Sequence, residues 1–574
     1  MPDDNFRIGY VADVEGHWEY FLEYVERSKV LDWEEHDSHN KYLSSTANGI
    51  ALQRLNLRPN THFIYGGDSV DKGPGDIRLC RALVGLKKRY PDRVHLLVGN
   101  RDLNKLRFSS ELSDEDMCRP IDHIKRPFWD RKAKSYEEHL EEILRTHAAT
   151  NGDYTLDHFN TKAERLRWML KHTLGCPDTF EFRREEISFL HKVYGCYPPN
   201  SETHESSPVH TDISRTNNDV NADTTNVTDE DVVNSFDYEI NHTEGSLRQY
   251  LHHASIAAII GNTIFVHGAI DRLTMCFVPS RNSKFELPTS SPPSFSEPST
   301  NISDGTMIDD AHEWVESLNE FLHDGLNDFE SRPHWNEERT SRGGEALLAI
   351  QNRPSMWGRS VVCNSYADGG VVATDDAEEQ RKQALRVAEE ESNPLAFEGV
   401  ASNVFDQAPA DWLLTHGIKR IVVGHKPTGD CPAVLSSAYT GVEVCSVDTS
   451  FARRRDISTD EKSNRFGVNR GDAMAVVEIA GSDCHNNCLE VSGTLADGTE
   501  YSNTHPHIGN NKDSTTSGDS ILGKRTVDGW WIKASISPGQ YHLCRGYGRT
   551  VEYNTRSEED VVVCHQLSKT IMSE

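Results

Sequence analysis

Polar side chains able to bind metal ions follow five short apolar segments of the chain. Each of these segment ends carries a carboxylate, an amide or an imidazole beside a glycine. Glycine permits a positive φ and a close backbone approach, which such turns require. Mixed oxygen and nitrogen donors suit borderline metals such as Mn, Fe or Zn better than soft, thiolate-bound ions. The five ends are Asp13-Val14-Glu15-Gly16-His17, Gly67-Asp68-Ser69-Val70-Asp71-Lys72-Gly73, Gly99-Asn100-Arg101-Asp102, His267-Gly268 and Gly424-His425-Lys426-Pro427.

The segments before these ends have the length and composition of buried β-strands. Near the N-terminus they alternate with helix-like segments, a pattern that predicts an α/β sheet covered on both faces. Ligands of such sheets bind beyond the carboxyl ends of the strands, where the polar residues are expected to gather. The predicted strands lie at 6–12, 61–67, 93–99, 262–270, 419–427, 442–450 and 472–480.

The composition excludes several functional classes. The 574 residues include 90 Asp and Glu against 60 Lys and Arg, which gives a formal net charge of −30. Such a surface repels phosphate backbones and disfavours broad, non-specific nucleic-acid binding. No apolar run approaches the roughly 20 residues of a membrane helix, and the N-terminus lacks the pattern of a secretory signal. Twelve cysteines without disulfide-framework spacing predict reduced thiols, so we expect a cytoplasmic or nuclear protein with no membrane partner.

Helix-like and polar segments interrupt the predicted strands. Residues 103–199 read as a helical insertion, and residues 200–235, rich in Ser, Thr, Asn and Asp, as a disordered loop. Residues 279–306 form a second predicted loop, rich in Ser and Pro. We therefore expect one interrupted catalytic domain over 1–480, followed by a β-rich C-terminal extension over 481–574.

The five segment ends resemble, in order, the motifs of the calcineurin-like metallophosphoesterases. Asp68–Gly73 and Gly424–Pro427 are most similar to the phosphoprotein-phosphatase-like branch, with its bacterial-type serine/threonine phosphatases and diadenosine-tetraphosphatase-like members. The resemblance implies an α/β fold in which two sheets form a β-sandwich flanked by helices, with helical and disordered insertions. It spans 8–102, 262–271, 353–360 and 419–480.

A dinuclear metal centre is what the resemblance implies for these residues. Asp68 would bridge two divalent ions, with Mn favoured over Fe, Zn or Mg. A hydroxide between the ions would then attack a clamped phosphoryl group in line. The family has histidine where Glu15 stands, and His17 is an alternative ligand. The implied ligands are Asp13 and Glu15 on the first ion, Asp68 on both, and Asn100, His267 and His425 on the second.

The resemblance also implies phosphate-binding cations and a leaving-group acid. Lys72 stands where the family usually has arginine, and Arg359 in Met356-Trp357-Gly358-Arg359 resembles a phosphate-clamping arginine. Arg101 replaces the histidine that, helped by the carboxylate matching Asp71, protonates the leaving group. Arginine cannot donate a proton near pH 7. Asp71 and Arg101 are therefore the predicted catalytic residues, and Arg101, Lys72 and Arg359 the predicted phosphate-binding residues.

Structural alternatives stay open for these residues. Asp13 could cap a helix, the segment 68–73 could be a plain turn, and the segment 100–102 could combine a helix cap with an ion pair. His267 could be a buried histidine of the core, and Arg359 could form a structural ion pair.

Three further motifs favour structural interpretations. Cys484-His485-Asn486-Asn487-Cys488, with His505 and His507 downstream, lacks the second half of a zinc signature and predicts a polar turn between strands. Trp530-Trp531 is expected to pack rather than to stack on bases. The basic run Arg453-Arg454-Arg455 favours a solvated loop over a surface that steers anions.

We therefore expect hydrolysis of a phosphate ester or phosphoanhydride. A phosphate leaving group needs no proton, so Arg101 favours phosphoanhydride or nucleotide substrates, with serine/threonine protein phosphatase as the alternative. The expected partner is a phosphorylated small molecule, a nucleotide or a phosphoprotein. A non-catalytic scaffold is the alternative of another class, because Glu15 and Arg101 depart from the family pattern.

Overall fold

The computed structural model describes most of the chain, and the statements below concern those residues. They are residues 6–34, 54–124, 133–148, 154–194, 197, 227–268, 270, 275–280, 305–350, 407–425, 428–436, 441–449, 473–505, 521–524, 526–547 and 550–562.

The strands are short, and most predicted strands are found within two residues of their expected starts. They are β1 (Phe6–Val11), β2 (Leu31–Trp33), β3 (Leu55–Leu57), β4 (Thr61–Tyr65), β5 (Val94–Leu97), β6 (Ala254–Ser255), β7 (Ala257–Ile260), β8 (Thr263–Val266), β9 (Phe277–Pro279), β10 (Gly305–Met307), β11 (Arg420–Val423), β12 (Ala433–Ser436), β13 (Glu443–Ser446), β14 (Met474–Gly481), β15 (Asn487–Thr494), β16 (Glu500–His505), β17 (Trp531–Ser537), β18 (Gln540–Tyr547) and β19 (Thr550–Ser557).

The α-helices cluster between β1 and β11. They are α1 (Trp18–Arg27), α2 (Asp76–Arg89), α3 (Asn100–Asn104), α4 (Leu106–Glu111), α5 (Asp114–Met117), α6 (Tyr136–Ala148), α7 (Leu156–Phe159), α8 (Lys162–Trp168), α9 (Thr179–Tyr194), α10 (Asp229–Asn241), α11 (Ser246–His253), α12 (Ala311–Ser331), α13 (Glu345–Ile350) and α14 (Gln407–Thr415). A π-helical turn, Met169–Thr173, follows α8.

Two mixed sheets form the centre of the molecule. The first has seven strands in the order β16-β15-β14-β1-β4-β5-β6, with β1, β4, β5 and β6 parallel. The second has five strands in the order β12-β13-β11-β8-β7, with β13, β11 and β8 parallel. Parallel strands of this kind place their carboxyl ends along one edge, which is where ligands of α/β sheets bind.

The two sheets pack face to face. Tyr10 of β1 stacks on Phe265 of β8 with ring centroids 5.9 Å apart, and both rings are buried. Other residues of the first sheet point the other way, since Val11 of β1 and Phe63 of β4 join a separate core with Phe21 of α1. The α/β sandwich with helices on its outer faces is therefore confirmed.

The insertion between β5 and β6 is largely helical, from α3 to α11. Most of the loops predicted over 200–235 and 279–306 lies outside the described residues, but α10 begins at Asp229, inside the first of them. Thr228 and Asp231 form a capping box at this start, and the helix buries Val232 and Phe236. The residues before Thr228 are mostly polar, and their number explains why the composition of the whole segment predicted a loop.

The boundary expected at residue 480 falls within the first sheet. Strands β15 and β16 lie beyond that point, and β15 pairs with β14 along its full length. A separate three-stranded sheet of β17, β18 and β19 follows and packs through Trp531 and Cys544 against Ala433 of β12. Among the described residues, no helix is both long and apolar enough to cross a membrane.

Candidate active site

Five predicted ligands lie at strand ends along one edge of the sandwich. Each follows its strand by one to three residues, in the turn that leads away from the sheet. The first sheet contributes three of them and the second sheet contributes two. They are Asp13 after β1, Asp68 after β4, Asn100 after β5, His267 after β8 and His425 after β11.

Asp68, His267 and His425 form the centre of the site, because each offers a donor atom within 4.8 Å of the others. The His267 Nε2 atom lies 3.4 Å from Asp68 Oδ1 and 3.2 Å from His425 Nδ1. Asn100 joins them, with its Oδ1 atom 3.3 Å from His267 Nε2. These four side chains therefore lie close enough together to share one cation.

The orientation of His267 leaves Nε2 facing this group. Its Nδ1 atom lies 2.8 Å from the carbonyl oxygen of Gly66, which can only accept a hydrogen bond. A carbonyl partner of this kind assigns the proton to Nδ1 and directs the other nitrogen towards a ligand. Burial would lower the pKa of His267, but Asp68 and Asp13 raise it to about 10.

Asp13 lies beside this group and joins the two sheets. Both of its carboxylate oxygens accept a hydrogen bond from the backbone N–H of His425 at 2.9 Å. Burial raises the pKa of Asp13 well above its usual range, and the nearby charge of Asp448 raises it further. Burial also opposes ionisation of Asp68, yet His267 and Arg101 hold the pKa of Asp68 below its usual range.

Strained backbone is concentrated at this edge. In the part of the chain that the structure describes, eight non-glycine residues have positive φ, and five of them belong to the predicted site. Left-handed conformations are costly for residues with a Cβ atom, and they persist where the surroundings impose them, often at functional sites. The five are Asp13 (φ 55°), Glu15 (φ 51°), Asp68 (φ 55°), Asp71 (φ 119°) and His425 (φ 69°).

Glu15 is placed differently from the other predicted ligands. Its Oε1 atom lies 2.5 Å from Arg101 Nε and 2.9 Å from Lys72 Nζ, so the carboxylate is engaged by two cations. His17, the alternative ligand, accepts a hydrogen bond from the Tyr20 N–H through Nδ1 and caps α1. Neither side chain belongs to the group around Asp68.

Arg101 is surrounded by carboxylates. Besides Glu15, its guanidinium contacts Asp71 at 3.1 Å and Asp68 at 3.6 Å. Burial alone would lower the pKa of Arg101, but these three carboxylates raise it well above its usual range. The side chain is therefore a fixed cation beside the candidate ligands.

Two further buried residues support this arrangement: Asp102, from the segment 100–102 for which a helix cap is the structural alternative, and Lys105, which no sequence motif singled out. Asp102 accepts hydrogen bonds from the backbone N–H groups of Gly99, Asp68 and Ser69 at 2.7 to 3.0 Å. Lys105 Nζ lies 2.7 Å from Asp71 Oδ1 and 3.0 Å from the Arg101 carbonyl oxygen. An acid three residues after Gly99 is a recognisable helix-start signal, whereas the contact of Lys105 with Asp71 depends on tertiary structure.

Several predicted residues have other outcomes. The segment 482–486 forms a turn between β14 and β15, stabilised by Asp483, which confirms the structural interpretation of the cysteine motif. Trp530 and Trp531 are buried, as expected. Arg359, the run 453–455 and His507 lie outside the described residues.

The donor set around Asp68 fits a divalent metal ion. Burial, and after it the charges of neighbouring carboxylates, raise the pKa of Asp13, and a bound cation would favour its ionised form. Carboxylate, amide and imidazole donors match the preferences of Mn, Fe and Zn. His267 carries one proton on Nδ1, which faces the Gly66 carbonyl oxygen. A metal ion would compete with a second proton for the Nε2 atom.

The comparisons with known proteins return phosphatases. No protein-family model matches the chain. The chain is 40% identical over 48 residues to the serine/threonine-protein phosphatase PP2A-like PPG1 of Saccharomyces cerevisiae, a match that spans 8% of this chain and 13% of that protein. This local similarity supports a relationship to phosphatases without resolving the branch.

Two solved phosphatase structures are also similar at low scores. A cold-active protein-tyrosine phosphatase of a psychrophilic Shewanella species has a TM-score of 0.30 and 12% identity, with 88% of this chain and 82% of that chain covered. A serine/threonine phosphatase from Saccharomyces cerevisiae with similarity to human phosphatase PP5 has a TM-score of 0.28 and 9% identity, with 89% and 82% covered. At these TM-scores, neither similarity assigns a fold or a function to this chain.

Proposed function

We propose that the chain is a metal-dependent phosphoesterase that hydrolyses phosphate esters or phosphoanhydrides. The observation that carries this proposal is the convergence of Asp68, His267 and His425 donor atoms within 4.8 Å at the edge of the sandwich. These residues come from both sheets, and Asn100 and Asp13 lie against them. The local similarity to a serine/threonine phosphatase supports the same class.

Two divalent cations, with Mn favoured, are the proposed cofactors. Asp68, Asn100, His267 and His425 would hold one, and Asp13 with Asp68 would contribute to the other. Such a pair supplies Lewis-acid polarisation of phosphoryl oxygens and an activated water nucleophile. Glu15 is a weaker candidate ligand than expected, because Arg101 and Lys72 already engage its carboxylate.

Arg101 and Lys72 are the proposed phosphate-binding cations among the described residues, and Arg359 remains a further candidate. Guanidinium groups bind phosphate oxygens in a bidentate manner. Glu15 contacts both cations at 2.9 Å or less, so an incoming phosphate would exchange with a carboxylate for the same N–H donors. Asp71 and Lys105 would hold Arg101 in position during that exchange.

Phosphoanhydrides, including nucleotides, are the proposed substrate class. A permanently charged guanidinium stabilises negative charge on a leaving phosphate, but it cannot protonate a serine alkoxide. The position of Arg101 among Glu15, Asp71 and Asp68 supports a purely electrostatic role. Phosphoprotein substrates are the second candidate, favoured by the local match to PP2A-like PPG1.

The test uses the full chain with Mn²⁺ and para-nitrophenyl phosphate. Substituting Asp68→Asn should lower turnover at least about 100-fold, because the residue at the centre of the cluster loses its charge. The matched control is Asp237→Asn on the exposed face of α10, which should leave turnover unchanged. Equal phosphate release by wild type and Asp68→Asn would refute the metal mechanism, whereas no release above the protein-free rate by wild type would favour a non-catalytic scaffold.

A second comparison separates the two substrate classes. Turnover of a dinucleoside polyphosphate and of a phosphoserine peptide is measured on the same preparation. We expect the anhydride to react faster. A clear preference for the peptide would assign the chain to the protein phosphatases instead.

A further inference from the structure

A second group of metal-binding side chains lies away from the candidate active site. Asp430 and Cys431 follow β11 in the loop before β12, and His542 lies on β18. Each offers a donor atom within 4.8 Å of the other two. All three are buried, with 4%, 1% and 5% of their surface exposed. The Nε2 atom of His542 is 2.9 Å from Asp430 Oδ1, across 112 residues of sequence.

The surroundings hold these side chains in fixed positions. The ring of Tyr553 stacks on His542 with centroids 5.4 Å apart and an interplanar angle of 18°. Buried Lys533 donates hydrogen bonds to the carbonyl oxygens of Thr428 and Cys431, which fixes the loop. The three donors therefore converge at a buried position that neighbouring side chains hold in place.

We propose that Asp430, Cys431 and His542 bind a structural zinc ion. Zinc is coordinated in proteins by thiolate sulfur, imidazole nitrogen and carboxylate oxygen, usually with four ligands in tetrahedral geometry, and these three side chains would supply three of the four. A buried Cys431 thiolate requires a neighbouring cation to stabilise its charge. The Lys533 ammonium is the alternative cation beside Cys431, and a cobalt–thiolate band distinguishes metal binding from pairing with Lys533.

The site would connect two parts of the fold. Asp430 and Cys431 follow the candidate ligand His425 between β11 and β12, while His542 belongs to the sheet of β17, β18 and β19. The sheet also contacts the sandwich through Trp531 against β12, through Lys533 on the loop carbonyls, and through the Ser535 N–H, which donates to Asn503 of β16. A zinc ion would therefore stabilise the docking of the C-terminal sheet against the catalytic sandwich.

Cobalt provides a readout specific to this site. The full chain is produced in cobalt-supplemented medium and examined for the near-ultraviolet charge-transfer band of a cobalt–thiolate bond. The proposed active-site ligands include no cysteine, so this band reports only thiolate coordination. Wild type should show the band, and Cys431→Ser should lose it. The control Cys445→Ser, a buried thiol of β13 outside the cluster, should retain it.

Metal content supplies a second measurement if Cys431→Ser fails to fold. Chain produced in zinc-containing medium should lose one zinc per chain on His542→Gln, and Asp68→Asn should retain that zinc. Absence of the cobalt band in wild type, or an equal band in Cys431→Ser, would overturn the proposal and leave Lys533 as the partner of Cys431. A band in wild type without phosphatase activity would contradict the proposed function alone.

Discussion

Lys105 forms a buried ion pair with Asp71 beside Arg101. Only 1% of its surface is exposed, and its ammonium contacts the fully buried Asp71. Removing one partner of a buried pair leaves an uncompensated charge, at a cost of about 3–5 kcal/mol. We expect Lys105→Met to lower the free energy of unfolding by about 3 kcal/mol, since Arg101 still faces Asp71. Urea denaturation measures this change.

The exposed Lys88→Met on α2 is the matched control, and it should change the free energy of unfolding by about 0.5 kcal/mol or less. Equal effects of the two substitutions would mean that the contact between Lys105 and Asp71 contributes nothing to stability.

His95 of β5 makes stability dependent on pH outside the active site. Burial and the neighbouring Lys87 ammonium lower the pKa of His95 to about 4. The unfolded chain takes up this proton near pH 6.5, whereas the folded chain does not, so the free energy of unfolding falls as the pH drops from 6.5 towards 4. The slope is at most about 1.4 kcal/mol per pH unit.

Comparison with His95→Gln isolates this effect, because titrations elsewhere are common to both chains. Between about pH 7 and about pH 5.5, wild type should lose about 1 kcal/mol of unfolding free energy relative to the variant. A difference between the two chains that does not vary with pH would contradict the lowered pKa.

At the scale of the elements, glycine controls how closely the strand-end turns approach one another. A Cβ atom added at Gly99 would lie 2.3 Å from the backbone nitrogen of Asp68 and 2.1 Å from its Oδ1 atom. We expect Gly99→Ala to displace Asp68 and to lower both Mn²⁺ content and turnover. Gly85→Ala is the control, since nothing lies within 4 Å of its added Cβ atom in the middle of α2.

The control should stabilise the chain by about 0.5–1 kcal/mol, because alanine is the better helix residue. Metal analysis and thermal unfolding of the two variants provide the test. Normal metal content and turnover in Gly99→Ala would show that the turn after β5 can move without loss of the site.

Elements with a local signal were predicted well from the sequence. Short apolar runs bounded by turn residues located β1, β4, β5, β8 and β11, and the residues after them contained the Asp68 group. Local sequence patterns do not predict which distant side chains contact one another. Glu15 contacts Arg101, and Asp430 contacts His542, only because separate strands are brought together by the fold.

At the scale of the whole molecule, the candidate ligands join the two sheets of the sandwich. Asp68 follows a strand of the first sheet, whereas His267 and His425 follow strands of the second. The hydrogen bond between Asp13 and the His425 N–H joins residues that are 412 positions apart in the sequence. A metal ion at this edge would therefore bind the folded chain and not the unfolded one, and its binding would stabilise the fold.

Addition of Mn²⁺ to metal-stripped protein tests this coupling. One site stabilises by about 2.7 kcal/mol at 100-fold excess over Kd, so the Tm of wild type should rise steadily with Mn²⁺ concentration. Asp68→Asn should show little rise. Asp430→Asn should respond like wild type, because a thiolate-containing site disfavours this harder ion. A Tm that does not change with Mn²⁺ in wild type, or that rises equally in Asp68→Asn, would mean that the two sheets approach one another at this edge without holding a metal ion.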